Sequence, residues 1–423
     1  MKEDFLHYIW KYKLFTTSHL TTQDNKQIEI ISFGIHNMDA GPDFFNGKIK
    51  IDKTIWAGNI EIHINSSDWI KHKHQLDKAY DNVILHVVYN NDRVINDKDE
   101  NAIPTIELKD LIDEELIDKY INLVQSKDWI PCGQQIKTVD EFTITSWINR
   151  LAIERLERKS EEIQKTLKFN KNNWEETFYQ YLFKYFGLKV NAQPFELLAK
   201  NTPLKIIEKH NDLFSIEALL YGQAGYLDEE IKDEYFFKLK KEYHFLKSKF
   251  DLTPLDKSLW KLLRLRPANF PTIRIAQLAY LLSNHTRLFT KVIETGFVKE
   301  LQQYFKVQAS GYWDTHYQFG IKVKDKKIKK IGINTINNII INVIVPFTFV
   351  YGKAKQNEEL VNKSLNLLEN TKAENNSIIK NWTELGVKSA NAMQTQSLIE
   401  LKNNYCSQKK CLTCSIGNTL LQQ

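Results

Sequence analysis

The chain is poor in cysteine, with four in 423 residues. That number is too small for a disulfide scaffold, and three of the four crowd into one short C-terminal stretch, which fits a reducing compartment. Long apolar runs are lacking as well. The longest, Ile339 to Val350, is interrupted by Asn342 and Pro346 and falls short of the roughly 20 residues a spanning helix needs. No membrane span is expected. The opening residues, Met1-Lys2-Glu3-Asp4-Phe5-Leu6, mix charged and apolar side chains and so do not read as a signal peptide. A cytoplasmic protein is the expectation. Neither a Walker sequence nor a dinucleotide fingerprint occurs, since Gly222 and Gly225 do not stand in a phosphate-cradling loop. No repeat period is regular enough for a solenoid.

What is present is the composition of an ordinary globular protein, 42% hydrophobic and 26% charged, in a chain long enough for two or three domains. The formal net charge of +6 is compatible with a polyanionic partner such as DNA or RNA without requiring one. The lysine-rich run Lys322–Lys330 reads as a solvated loop or edge strand, where lysine discourages unwanted pairing.

Periodicity changes along the chain. Phe5 to Phe15 has helical spacing; Gln27 to Phe33 and Lys48 to Ile51 read as strands. Trp56 to Ile64 alternates cleanly, with Ile60, Ile62 and Ile64 on one face and Asn59, Glu61 and His63 on the other. Ser66 to Tyr80 is polar with helix-like spacing, Val83 to Tyr89 is a near-continuous apolar strand, and Ile103 to Leu108 is another. The order is α-β-β-β-α-β-β. From about Thr138 the spacing is helical. Helix starts are expected before Trp174–Phe186, Phe195–Ala199 and Leu255–Leu265, and a further helix over Thr272–Leu282. The whole predicts an α+β protein: a mixed α/β domain over 1–135, then a mainly helical region over 136–423 that ends in the cysteine cluster.

Gly41-Pro42-Asp43-Phe44 precedes a strand, and Glu61-Ile62-His63 lies inside the alternating strand eighteen residues on. Asp43 and Glu61 on adjacent strands can meet and hold a hard divalent cation, Mg²⁺ or Mn²⁺. His63 on the same face is a candidate base or ligand. His72, His74 and Asp68 fall close by in sequence and are secondary candidates. His72 and His74 with His63 and a carboxylate also suit zinc. The structural alternatives are specific: Asp43 capping a turn, Glu61 pairing with Lys48, His86 as a satisfied core histidine. Further on, Arg264, Arg266 and Arg274 could grip phosphates or bind helix C-terminal carbonyls and carboxylates. Cys406, Cys411 and Cys414 follow a C-x4-C-x2-C spacing. With Cys132 they make a complete tetrathiolate set for zinc or a [4Fe–4S] cluster.

The N-terminal pattern resembles restriction-endonuclease-like nucleases of the proline-aspartate, aspartate/glutamate-x-lysine type, with His63 where they carry lysine. It is also loosely similar to very-short-patch repair endonucleases, which set acids and histidines around one phosphate. The resemblance implies a metal-dependent nuclease or phosphodiesterase with Asp43, Glu61 and His63 at its centre and Arg264 and Arg266 holding substrate. A degenerate, non-catalytic binding or scaffold module and a zinc-dependent hydrolase are the alternatives. Some nucleases of this fold tie a C-terminal cysteine triplet to a lone upstream cysteine with an iron–sulfur cluster, but there the lone cysteine precedes the core. The segments AGPDFFNGKIKI, WAGNIEIHINSSDW, YDNVILHVVY, EALLYGQAGYL, LRPANFPTIRIAQLA and YCSQKKCLTCSIG together resemble the bacterial domain of unknown function 2851, typical of Bacteroidota. That family brings no reaction and implies a bacterial cytoplasmic origin.

Overall fold

The computed structural model describes residues 1–423. Its contacts divide the chain into two compact units, Met1–Trp147 with Leu401–Gln423, and Ile148–Glu400. The sequence reading set one boundary at 135 and left the C-terminus with the helices. In the structure the last 23 residues, 401–423, belong with the N-terminal sheet.

The first unit opens with α1 (Glu3–Tyr12), whose first turn carries Glu3 and Asp4 against the helix dipole and whose apolar face buries Phe5, Leu6, Ile9 and Trp10. Lys13, in the left-handed region at φ 58°, ends it. The strands are β1 (Ile28–Ser32), β2 (Ile35–His36), β3 (Phe44–Ile51), β4 (Thr54–Asn65), β5 (Val83–Asn90) and β6 (Thr105–Glu107). They form one mixed sheet in the order β1-β3-β4-β5-β6, with the two-residue β2 also on β3. β3 and β4 are an antiparallel pair, whereas β4 and β5 run parallel, so a crossover must connect them. Apart from β2, the element order matches the one read from the sequence.

Two consequences of this topology matter. β4 is central and α1 lies against it, so both of its faces are covered: Ile60 and Ile62 are fully buried on one, and Glu61 and His63, at 4% and 0% exposure, on the other. The crossover 66–82 is also not the single helix its spacing suggested. Helix α2 covers only Asp68–Lys71, and single 3-10 turns follow at His74–Leu76 and Lys78–Tyr80. Lys73 at φ 64° breaks the first, and Asp77 starts the last by accepting the Ala79 N–H.

The second unit is helical around a large apolar core that includes Phe178, Phe183, Phe186, Leu219, Ile275 and Phe347. The helices Trp174–Phe186, Ala192–Asn201 and Pro271–Asn284 lie where expected. Gly222 makes a close helix crossing, since a Cβ there would sit 2.1 Å from the Tyr243 ring. The helix expected over Leu255–Leu265 is absent; the stretch holds one 3-10 turn, Lys257–Leu259. Tertiary partners take its polar groups instead: Trp260 Nε1 donates to Ala224 O at 2.7 Å and the Lys261 N–H to Asn191 Oδ1 at 2.8 Å. Pro346 likewise does not interrupt its apolar run. A π-helical segment, Ile340–Ile344, precedes the proline and absorbs it, giving one helix, Ile333–Ala354, long and apolar enough to cross a membrane and 67% buried in the protein.

Candidate metal centre

Five of the residues named from sequence converge. Asp43, just before β3, and Glu61, on β4, are linked reciprocally across the strand pair. The Asp43 N–H donates to Glu61 Oε2 at 3.1 Å, and the Ile62 N–H donates to Asp43 Oδ2 at 2.9 Å. That leaves Glu61 Oε1 aimed at imidazoles, 3.2 Å from His74 Nε2 and 3.6 Å from His63 Nε2. His63 Nε2 is 3.1 Å from His72 Nδ1. The ligand nitrogens of His63, His72 and His74 all lie within 4.8 Å of one another. Ligands around a tetrahedral zinc-sized ion, with metal–nitrogen distances near 2.05 Å, stand about 3.4 Å apart. The three measured separations bracket that value.

The crossover geometry makes this possible. Because α2 stops after one turn, His72 follows it directly, and the left-handed Lys73 swings His74 back over β4. Tyr80 stacks on the His74 ring at 3.8 Å, and Trp69, buried, meets the rings of His63, His74 and His86 edge-on. His72 is the exposed member of the set, and solvent reaches the cluster at that side.

His86, opposite Glu61 on β5, holds its Nε2 2.8 Å from His63 Nδ1. The sequence reading treated it as a satisfied core histidine. It is fully buried, but its Nδ1 has no hydrogen-bond partner, and its other nitrogen is placed to fix the orientation of the His63 ring. Two further groups had no place in the sequence reading. Glu3 and His7, one turn apart on α1, reach the same cluster: Glu3 Oε1 lies 3.9 Å from His63 Nε2, and His7 Nε2 lies 3.3 Å from Asp43 Oδ2. Their i, i+4 spacing beside the buried stripe of α1 was the available signal.

Burial dominates the electrostatics of the cluster. Burial, then the Asp43 charge, pushes the Glu61 carboxyl up to about 9. Burial, then the neighbouring imidazoles, drives His63 down to about 2 and His86 to about 3. Burial lowers His74 as well. It lowers His7 too, but the hydrogen bond and charge of Asp43, with Glu3 and Asp4, outweigh it and hold His7 above its ordinary value. His74 Nε2 is buried with no properly directed hydrogen bond. Imidazoles held neutral around one carboxyl oxygen, with the His74 Nε2 lone pair or proton unmatched, could serve as ligands to a metal ion.

The other candidates go elsewhere. Asp68 accepts the Asn65 N–H at 2.9 Å and pairs with Lys71 at 2.5 Å, tying down the start of α2. Lys48 is exposed and Glu61 takes none of its charge. Arg264 and Arg266 belong to the second unit and are exposed. Arg274 is buried there, donating to Gln277 Oε1 at 3.0 Å and Asn269 Oδ1 at 2.7 Å, a structural role.

Against known proteins, the family described as "Protein of unknown function (DUF2851)" matches residues 3–377. The chain belongs to this family. The match takes in both carboxylates, every histidine of the cluster and Cys132, and it ends before the C-terminal cysteines. No curated protein and no solved structure matches the chain.

Proposed function

We propose that the protein is a metal-dependent hydrolase of phosphodiester bonds in nucleic acid, with its cation held by His63, His72, His74 and Glu61. The observation that carries this reading is the set of three imidazole nitrogens and one carboxylate oxygen spaced as ligands of one ion. Three nitrogen donors favour a zinc-class or manganese ion over Mg²⁺, which prefers oxygen and water. Nucleic acid as substrate rests on two things. Asp43 precedes one strand of a mixed sheet and the Glu61/His63 pair lies on the next, as the nuclease resemblance requires, and the net charge is positive.

A cation so held supplies Lewis acidity toward a phosphoryl oxygen and a bound water of lowered pKa. The protein's own groups do the rest. With a proton on Nδ1 donated to His86, His63 would present the Nε2 lone pair to the ion and serve as a ligand, not in the lysine's role. His7, raised by Asp43, is the group placed to carry a proton at the edge of the site, and Asp43 orients it. Exposed His72 leaves the approach for substrate open.

The test is direct. Purified protein, stripped with chelator, is titrated with Zn²⁺, Mn²⁺ and Mg²⁺ and assayed on single- and double-stranded DNA and on RNA. One tightly bound Zn²⁺ or Mn²⁺ per chain and ion-dependent cleavage, both lost in His63→Ala, are the expected result. Failure to bind any of the three ions overturns the site. Binding without cleavage of any substrate overturns the nuclease activity and leaves a second reading, a non-catalytic metal-binding module. The replacement of the catalytic lysine by a fully buried histidine favours that reading.

A further inference from the structure

All four cysteines of the chain fall in the first unit, although 274 residues (406 − 132) separate Cys132 from Cys406. None is in a disulfide; Cys132, Cys411 and Cys414 are buried and Cys406 is half-buried. The thiols act electrostatically on one another in every pairing of the four. The C-terminal segment is anchored around them. Lys402 Nζ donates to Trp129 O at 2.8 Å, Lys409 Nζ donates to Val124 O, and the ring of Tyr405 stands edge-on to Trp147 at 5.4 Å. At Gly417 a Cβ would come 2.3 Å from the Cys411 carbonyl oxygen, so only glycine lets the turn close this tightly.

We propose that Cys132, Cys406, Cys411 and Cys414 form one structural tetrathiolate site, for a zinc ion or a [4Fe–4S] cluster, that fastens residues 401–423 to the N-terminal sheet unit. Small buried hydrophobes is the ordinary account of buried cysteines. It does not explain why the only four in 423 residues gather in one unit, buried or half-buried and within electrostatic reach of one another. Burial raises the Cys414 thiol, while the backbone N–H groups of Gly417 and Ile416 and the side chain of Trp147 favour its thiolate. Lys409 lies near Cys411 and Lys402 near Cys406, both favouring the thiolate. Binding a metal takes the proton from each thiol, and the metal–thiolate bonds offset the cost of doing so. The centre is separate from the histidine site, sharing no residue with it, and its role is cohesion between distant parts of the chain.

The experiment uses the full-length protein, purified anaerobically and titrated with a mercurial thiol reagent. Release of zinc, or of iron with acid-labile sulfide, in step with loss of the four thiols is the expected result, and it tells the two centres apart. Thiols consumed with no metal appearing would overturn the proposal. His63→Ala keeps this metal while losing the ion of the histidine site, so failure of one site is distinguishable from failure of the other. In hydrogen exchange, Cys132→Ser deprotects residues 401–423 at least tenfold. If that variant misfolds, the wild-type titration still decides. Unchanged protection in a well-folded Cys132→Ser also counts against the site.

Discussion

In the Ile148–Glu400 unit, many buried polar side chains pair one with another, although several keep one unmatched atom, Arg155 Nη1, Arg274 Nε and Glu217 Oε1 among them. Arg274 is matched by Gln277 and Asn269, Gln277 in turn donates to Lys329 O at 3.0 Å, Arg155 donates to Asn342 Oδ1 at 2.8 Å, and Gln223 donates to Tyr243 Oη at 2.9 Å. In the sheet unit, Glu61, His63 and His74 surround one point, and the buried His74 Nε2 lacks a directed hydrogen bond. Buried groups that close on each other hold a fold together. Buried groups that converge on one point cost stability unless something meets them there. The difference teaches where to look for a site: the titratable groups of β4 and of the broken crossover that follows it converge, whereas the pairs of the helical unit lie one by one along its core.

The sharpest way to break this contrast is to remove a ligand. His63→Ala should weaken zinc affinity by about a thousandfold or more, since one of four ligands is lost along with its link to His86; calorimetric titration checks it. Near-normal affinity would dissolve the distinction between the units. Next comes Gly222→Val, which forces a branched side chain into the Tyr243 ring and should cost about 3 kcal/mol in chemical denaturation. Zinc binding should be unchanged, because the helical unit carries none of the ligands.

His86→Ala should lower zinc affinity about 10- to 100-fold, the usual effect of an orienting partner behind a histidine ligand. An unchanged affinity would return His86 to the role of a core residue.

A pH series separates the buried acid of the sheet unit from its buried imidazoles by sign. In chelator, Glu61 keeps a proton in the fold up to about 9 that the unfolded chain releases near 4.5. Its contribution is complete below the lower value and is lost as pH rises toward the upper. Between pH 7 and 9 the wild type should lose stability by up to about 1.4 kcal/mol per pH unit, with His7, also raised, acting the same way. Glu61→Gln should flatten that slope, and an unaltered slope would deny the buried acid. On the other side His63 and His86 refuse protons that the unfolded chain takes up near 6.5, so stability falls again as pH drops below that value toward their folded values of about 2 and 3. The smallest effect belongs to Asp68→Asn. Its exposed pair with Lys71 is worth under about 1 kcal/mol, the amide still accepts the Asn65 N–H, and zinc affinity should not move.

Much of this could be read from residue spacing alone. Strict alternation fixed that Glu61 and His63 share a face of β4, and the Pro42-Asp43 turn placed a carboxylate at the head of the neighbouring strand, because strand geometry has a period of two whatever surrounds it. Helical spacing located Trp174–Phe186 and Pro271–Asn284 for the same local reason. What spacing could not decide was anything resting on partners far along the chain. The stretch Leu255–Leu265 gave up its helix to bonds with Ala224 and Asn191. The crossover broke at Lys73 and so delivered His74 to Glu61, with His72 left beside His63, and α1 brought Glu3 and His7 to a cluster whose other members begin at residue 43. The C-terminal segment left the helical region for the sheet unit that holds Cys132. Local chemistry chose which side chains could act; long-range burial, which depends on the whole folded chain, decided which of them meet.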